Sequence, residues 1–206
     1  LLGAEQLDWI ESKIKNSDAV WTIFGQQVLM AKLKFPDISK MLKSKEIPSF
    51  LKPYLKFLGL GIPSNLDAWD GYPAERNRLY KTMSNAKKRF ISLAGDTHNS
   101  WVSELKDKSG NKVGIELGAP SVTSPGITDI LNLDEKEFVD SIVRINNELQ
   151  WMNPSNRGYL SLNCRKDKII ASFNFIKELE QINSDIGSSK SFVLHQKDLE
   201  LEEIKA

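Results

Sequence analysis

The sequence is poor in cysteine, in long apolar runs and in excess charge of either sign. Its single cysteine, Cys164, excludes a framework of intrachain disulfides. No apolar stretch approaches the ~20 residues that a membrane-spanning helix needs, so we expect no integral membrane segment. The formal net charge is only +1. This balance argues against nucleic acid as a partner, although lysines and aromatic residues are mixed between positions 32 and 56.

The sequence also begins without an initiator methionine and without the charged and apolar segments of a cleavable leader. We therefore expect it to be part of a longer chain. Its 206 residues, 40% of them hydrophobic, suffice for one substantial core.

Two helix-to-strand steps are predicted in the first half of the sequence. Residues 4–14 carry apolar side chains at helical spacing, and residues 19–24 are the apolar run of a buried strand. A second helix at 74–87 follows Pro73, because proline is tolerated in the first helical turn. The strand Phe90–Ala94 comes next. This alternation is typical of a layered α/β protein.

Residues 33–68 interrupt that alternation with four prolines and clustered lysines around aromatic residues. We interpret this stretch as a long excursion that caps something rather than as a separate domain.

Antiparallel structure is predicted for the second half of the sequence. Hairpins are expected at 101–105 with 113–117, and at 158–163 with 168–175. Between them, Asp134 and Glu137 resemble a capping box before one helix with the apolar residues Phe138, Ile142, Ile145 and Leu149. The charged stretch from Ser184 onward is expected to be an edge strand or a loose tail.

A strand that ends in Leu93-Ala94-Gly95-Asp96-Thr97-His98 is the strongest chemical signal. In extended backbone, residues two apart project to the same side, so Asp96 and His98 are candidate metal ligands. The edge at which such strands end is also where ligand sites form in layered α/β proteins. The alternative is that Asp96 caps a turn and His98 makes only local contacts.

Several further strings accompany this motif in the same order along the chain. They are Trp21-Thr22-Ile23-Phe24-Gly25-Gln26-Gln27-Val28, Trp69-Asp70-Gly71-Tyr72-Pro73 with Arg76, the small-residue loop Gly118–Gly126, Asn153-Pro154 and Arg157-Gly158-Tyr159. Together the strings resemble the PhoD-like alkaline phosphatases, a branch of the calcineurin-like metallophosphoesterases. The resemblance covers roughly residues 2–175.

The resemblance implies an α/β fold that is part of a four-layer α/β/β/α sandwich with mixed sheets, its N-terminal portion absent. Residues 1–178 would form the C-terminal part of the phosphatase domain, with the 33–68 excursion as an insertion. Residues 179–206 would form the charged strand or tail. It also implies hydrolysis of phosphomonoesters or phosphodiesters at a cluster of iron and calcium, in a periplasmic or extracellular enzyme.

The resemblance also implies roles for single residues. Asp96 and His98 fall on the catalytic metal ligands of the family. Trp69, Asp70, Tyr72 and Arg76 fall on a motif near the mouth of the site, where the guanidinium of Arg76 could bind a phosphate ester. The alternative for this motif is a buried aromatic turn with Arg76 in a salt bridge on its own helix.

Three family segments that hold further metal ligands are missing from the sequence, namely an earlier Cys, an Asp-x-x-Tyr and an Asp-Asp-His-Glu-x-x-Asn. Cys164 does not replace the missing Cys, and we expect it to be a small buried hydrophobic residue. Two ligands bind a metal weakly, so we expect the 206 residues alone to be inactive. A non-catalytic binding or interaction protein that keeps the scaffold is the alternative. Gln26 and Gln27 are expected to make core hydrogen bonds rather than orient a ligand, and His195 is expected at the surface.

Overall fold

Two β-sheets packed face to face form the centre of the molecule. The structure, a computed structural model, describes residues 1–42, 53, 57, 60, 63, 65–179 and 185–204. The first sheet contains β1 (Ile23–Gly25), β2 (Phe90–Ala94), β3 (Ser100–Lys106), β4 (Lys112–Gly118) and β5 (Leu149–Asn153) in the order β1-β2-β4-β3-β5. Strands β1, β2 and β4 are parallel, whereas β3 runs antiparallel to both β4 and β5.

The second sheet is entirely antiparallel and follows chain order. It contains β6 (Gly158–Cys164), β7 (Lys168–Ile176), β8 (Ile186–His195) and β9 (Leu201–Ile204). Its inner face packs against the first sheet through buried apolar side chains, among them Val102, Ile115, Leu117, Ala171, Phe173 and Phe192. The ring of Phe173 contacts those of Trp151 and Phe192, at centroid distances of 5.0 and 6.2 Å.

Helices cover the other face of the first sheet. They are α1 (Ala4–Asn16), α2 (Pro73–Asn85), α3 (Ile127–Leu131) and α4 (Glu135–Ile145), and 3-10 turns lie at Ile38–Lys40 and Trp69–Gly71. Helices α1 and α2 pack with Phe90 in one apolar cluster, and α4 packs with Trp101 in another. The described residues thus form three layers, α/β/β, of the α/β/β/α sandwich expected from the sequence.

The local sequence patterns predicted most of these elements. Helix α1 buries the stripe Leu7, Ile10 and Ile14, α2 begins at Pro73, and β2 covers the predicted residues. Both hairpins are present as β3–β4 and β6–β7. The Asp134 side chain accepts a hydrogen bond from Glu137 N, so the predicted N-cap is confirmed.

The prediction of a buried strand at 19–24 was wrong. Strand β1 spans only three residues at the edge of its sheet, where Ile23 is 39% exposed. An edge strand has a neighbour on one side only, so an apolar sequence does not ensure burial.

The prediction that Leu149 belongs to the helix of Phe138 was also wrong. Helix α4 ends at Ile145, and Leu149 begins β5, which was not predicted as a strand. The Asn146 side-chain amide donates to Ile142 O and to Lys34 O, both at 2.8 Å. These bonds tie the end of the helix to a distant segment.

The predicted edge strand of the C-terminal stretch is present as β9, but residues 186–195 form neither an edge strand nor a loose tail. Strand β8 lies between β7 and β9, and its residues Phe192 and Leu194 are buried. Alternation places these apolar side chains inward and the polar ones outward. Cys164, at the end of edge strand β6, is exposed rather than buried.

Half of the predicted 33–68 excursion lies outside the described residues, and the domain bounds stay a prediction. Across the described ranges, no helix has both the length and the apolarity that crossing a membrane requires.

Candidate active site

The turn between β2 and β3 carries both predicted metal ligands in a strained conformation. Asp96 and His98 have φ angles of 66° and 61°, so the prediction of extended backbone at this pair was wrong. A left-handed conformation costs a non-glycine residue about 1 kcal/mol, and such strain often accumulates at functional sites. The turn is held by bonds from Gly95 N to Gln27 O at 3.0 Å and from Trp101 Nε1 to Thr97 Oγ1 at 2.7 Å.

The His98 ring has one nitrogen engaged and the other available. Its Nδ1 lies 3.2 Å from the carbonyl oxygen of Pro125. A carbonyl oxygen only accepts, so Nδ1 carries the hydrogen and the lone pair resides on Nε2. Metal-binding histidines are commonly oriented by such a bond. The Asp96 carboxylate is exposed, and it makes no side-chain hydrogen bond with any residue that the structure describes.

A cavity of about 490 Å³ adjoins this turn. This volume falls within the range of about 300–1,000 Å³ that small-molecule sites occupy. His98, Asn99 and Asp70 contribute polar groups to its wall, and the apolar part includes Leu29, Ala31, Leu33, Phe35, Trp101 and Ile127. The cavity therefore offers space for a small ester beside His98.

The donors in the described ranges do not complete a metal site. No group of three or more His, Cys, Asp or Glu side chains is close enough there to hold an ion. Asp96 and the free Nε2 of His98 suit a metal as two donors of a larger set, since oxygen and imidazole ligands bind iron, zinc or manganese. Two donors alone bind weakly.

The Trp69–Arg76 motif is mostly interior. Trp69 is buried, and its Nε1 donates to Gln26 Oε1 at 3.0 Å. The buried guanidinium of Arg76 donates through NH1 to Asp70 Oδ1 at 2.7 Å and to Met30 O at 3.0 Å. Only Tyr72 is exposed. The geometry is that of a buried aromatic turn with a salt-bridged arginine, and substrate contact by these four residues stays a prediction.

Gln26 makes the core hydrogen bonds expected of it, because its Nε2 also donates to Ser92 Oγ at 3.0 Å. His195 is partly exposed and lies 3.5 Å from Glu202 Oε2.

Five successive backbone N–H groups, from Met30 to Lys34, all donate to side-chain acceptors. Those of Met30 and Ala31 donate to Glu116 at 2.7 and 2.8 Å. The next three reach Glu148 at 3.3 Å, Asp70 at 3.1 Å and Asn146 at 2.8 Å. This 30–34 segment forms no helix or strand, so the side chains replace the usual backbone partners. Because Ala31 and Leu33 line the cavity, these acceptors position part of its wall.

Sequence reasoning missed Glu116, the central acceptor of this arrangement. It is fully buried in β4 and also accepts from Ser92 Oγ at 3.0 Å. Burial raises the pKa of Glu116 to about 7, although its hydrogen bonds from Ala31, Met30 and Ser92 oppose the shift. Burial also raises the pKa of the nearby Tyr80, with the charge of Glu116 adding to the effect. The sequence feature that could have predicted a buried acidic residue is the position of Glu116 inside the apolar run of 113–117.

A sequence model of the PhoD-like phosphatases matches residues 1–173. The chain belongs to the PhoD-like phosphatase family. It is 28% identical over 203 residues to Alkaline phosphatase D of Bacillus subtilis (strain 168), an alignment that covers 96% of this chain and 30% of that protein. A solved structure of PhoD matches all of this chain and 35% of its own, with a TM-score of 0.73 and 25% identity.

This PhoD-like phosphatase chain therefore spans about a third of the length of the relatives it matches. The predicted family and fold class are confirmed. The chain places the Asp96–His98 turn at the carboxyl end of β2, the middle of its three parallel strands. In open α/β sheets, ligands bind beyond this end of the strands.

Proposed function

We propose that the chain contributes part of the active site of a metal-dependent hydrolase of phosphoric esters. Family membership supports the reaction class. The observation that carries the site assignment is His98, which lines the cavity and whose Nδ1 is bonded to Pro125 O, while its Nε2 has no hydrogen-bond partner among the described residues. The substrates proposed are phosphomonoesters or phosphodiesters, and a periplasmic or extracellular location is proposed from the family resemblance.

Asp96 and His98 would supply one carboxylate and one imidazole to the metals, for which iron and calcium are proposed. Bound metal ions would neutralise phosphoryl oxygens and lower the pKa of a water molecule. The remaining donors would have to come from outside the described residues. We therefore expect the 206-residue chain alone to hydrolyse phosphate esters little or not at all.

Hydrolysis of p-nitrophenyl phosphate at alkaline pH, with iron and calcium added, tests this proposal. The assay compares the 206-residue chain, a chain extended to the length of the relatives, and the extended chain with Asp96→Ala or His98→Ala. His195→Ala is the matched control, because within the described residues the His195 side chain hydrogen-bonds only to Glu202 of the neighbouring strand β9.

The proposal predicts turnover by the extended chain and by its His195→Ala variant, with loss of turnover in the Asp96 and His98 variants. Retained activity in either of those variants would show that its side chain is structural. Absence of turnover in the extended chain itself would favour a non-catalytic binding protein.

A further inference from the structure

Arg157 is a buried cation that joins the second sheet to the turn carrying His98. It lies directly before β6 and is only 3% exposed. Its NH1 donates to Asn156 O at 3.0 Å and to His98 O at 3.4 Å, and its NH2 pairs with the Asp129 carboxylate in α3. A buried guanidinium needs such partners, because an unpaired charge inside a protein is costly.

The Arg157–Asp129 pair is also connected to the His98 ring, through the loop that contains Pro125. The Asp129 oxygen that pairs with Arg157 also accepts from Gly126 N at 2.9 Å. The residue before this glycine is Pro125, whose carbonyl oxygen binds His98 Nδ1 at 3.2 Å. Arg157 thus contacts the His98 backbone directly, and through Asp129 it holds the loop that orients the imidazole.

The loop at Gly126 is packed so closely that it has little freedom to shift. A Cβ atom there would lie 2.2 Å from Pro154 O, 2.6 Å from Asn99 Oδ1 and 2.8 Å from Arg157 NH2. The Asn99 side chain also accepts from Ile127 N at 3.2 Å. Only glycine fits at this position, because any side chain would clash with these atoms. The loop therefore packs directly against the Arg157 guanidinium.

We propose that Arg157 is a positioning residue that fixes the orientation and tautomer of the His98 ring. The planar fork of an arginine can bind a carbonyl oxygen and a carboxylate at once, whereas a lysine offers a single point charge. Loss of the fork frees both the His98 backbone and the Pro125 loop. The catalytic consequence rests on the proposed function, but the positioning itself does not.

Nitrogen-15 NMR of the histidine rings tests the positioning without metal or substrate. The sequence has only two histidines, so His195 serves as an internal reference. At a pH where both imidazole rings are neutral, we expect the Nδ1–H tautomer of His98 in the wild-type chain. In Arg157→Lys and Arg157→Gln we expect a mixture of the two His98 tautomers. Arg144→Gln, at an exposed arginine of α4, should leave the His98 signals unchanged. An unchanged His98 tautomer in Arg157→Lys would overturn the proposal.

Asp129→Asn provides a second variant if the Arg157 variants fail to fold, because Asp129 is half exposed. It should shift the His98 tautomer in the same direction by a smaller amount, and an unchanged tautomer would refute the positioning role. In the extended chain, Arg157→Lys should weaken metal binding about 10- to 100-fold, as expected for a residue that orients a ligand. If His98→Ala proves fully active, the assignment of His98 as a metal ligand fails, while the NMR result still decides whether Arg157 positions the ring.

Discussion

At the scale of single residues, Asp96 combines backbone strain with a carboxylate that makes no hydrogen bond or ion pair with any described side chain. Its φ angle of 66° lies in the left-handed region, and its side chain is exposed. Glycine adopts this conformation without steric cost, so the backbone of the turn does not require an aspartate at this position. The proposed role of Asp96 as a metal ligand would account for a carboxylate at this position.

Asp96→Gly should leave the free energy of unfolding unchanged or raise it by about 1 kcal/mol or less. Relief of steric strain favours the variant, and the larger entropy of its unfolded chain partly offsets the gain. Urea unfolding measures the stability. Lys87→Gly is the matched control, because Lys87 is exposed with a φ angle of 52°. In the extended chain, only Asp96→Gly should lose hydrolysis. A stability loss above about 1 kcal/mol in Asp96→Gly would mean that the side chain supports the turn.

Glu116 should make stability fall as pH rises through the weakly acidic range. Its pKa is about 7 in the folded chain and 4.5 for an ordinary glutamate. Between these two pKa values the native state binds more protons than the unfolded state. The free energy of unfolding therefore falls by about 3 kcal/mol as the pH rises from the lower value to the higher one. Above the folded-state pKa, the contribution of Glu116 to the free energy of unfolding no longer changes with pH.

Urea unfolding from about pH 5 to about pH 8 measures this decline, which Glu116→Gln should lack. Glu104→Gln is the control: burial opposes ionisation of Glu104, but hydrogen bonds from Lys112 and Lys106 outweigh it and lower its pKa. The contribution of Glu104 is therefore lost only in more acidic solution, and its variant should keep the wild-type slope. Equal slopes in wild type and Glu116→Gln would contradict the prediction.

At the scale of elements, the irregular 30–34 segment depends on side chains from several parts of the chain. Asp70 belongs to the 3-10 turn before α2, and it accepts from Leu33 N and from the Arg76 guanidinium. Arg76 in turn donates to Met30 O. This ion pair therefore ties the 30–34 segment, part of the cavity wall, to the 3-10 turn and to α2.

Asp70→Asn should lower the free energy of unfolding by about 3 kcal/mol, because it leaves the buried charge of Arg76 without a charged partner. Asp8→Asn is the matched control, since Asp8 of α1 forms an exposed pair with Arg78 of α2, the helix that also carries Arg76. Exposed pairs contribute little, and the control should change stability by about 0.5 kcal/mol or less. Chemical unfolding compares the two variants, and equal losses would refute the structural role of the Asp70–Arg76 pair.

At the scale of the whole molecule, the edge of the first sheet at β1 is open within the described residues. β1 pairs with β2 alone. Apolar side chains, including Trp9, Trp21 and Ile23, line a groove of about 450 Å³ beside it. An unpaired edge next to apolar surface invites another chain to add a strand.

Ile23→Lys should reduce self-association of the concentrated 206-residue chain, because a charge on an edge strand opposes strand addition. Light scattering against protein concentration measures the effect. Ile145→Lys introduces the same charge at the end of α4, where Ile145 has a similar exposure of 41%. Self-association that falls equally in both variants would show a general charge effect rather than pairing at β1.

Local patterns in the sequence were sufficient to predict α1, α2 and both hairpins, because their apolar periodicity depends on residues a few positions apart. The same patterns failed for β5, whose partner β3 lies more than 40 residues earlier in the chain. They also failed to predict the buried residues of β8, which depend on packing against the first sheet. At the candidate site, the motif identified Asp96 and His98. It did not predict their left-handed backbone, which the surrounding turn imposes.

The order and spacing of the motifs, read from the sequence alone, determined the family and the α/β class. Only the tertiary structure decided which polar groups are buried and what they bind. Glu116 is 86 residues from Met30, and Arg157 is 59 residues from His98. Such partners meet only when the sheets and loops have packed, and burial then raises the pKa of Glu116 and strengthens the hydrogen bonds.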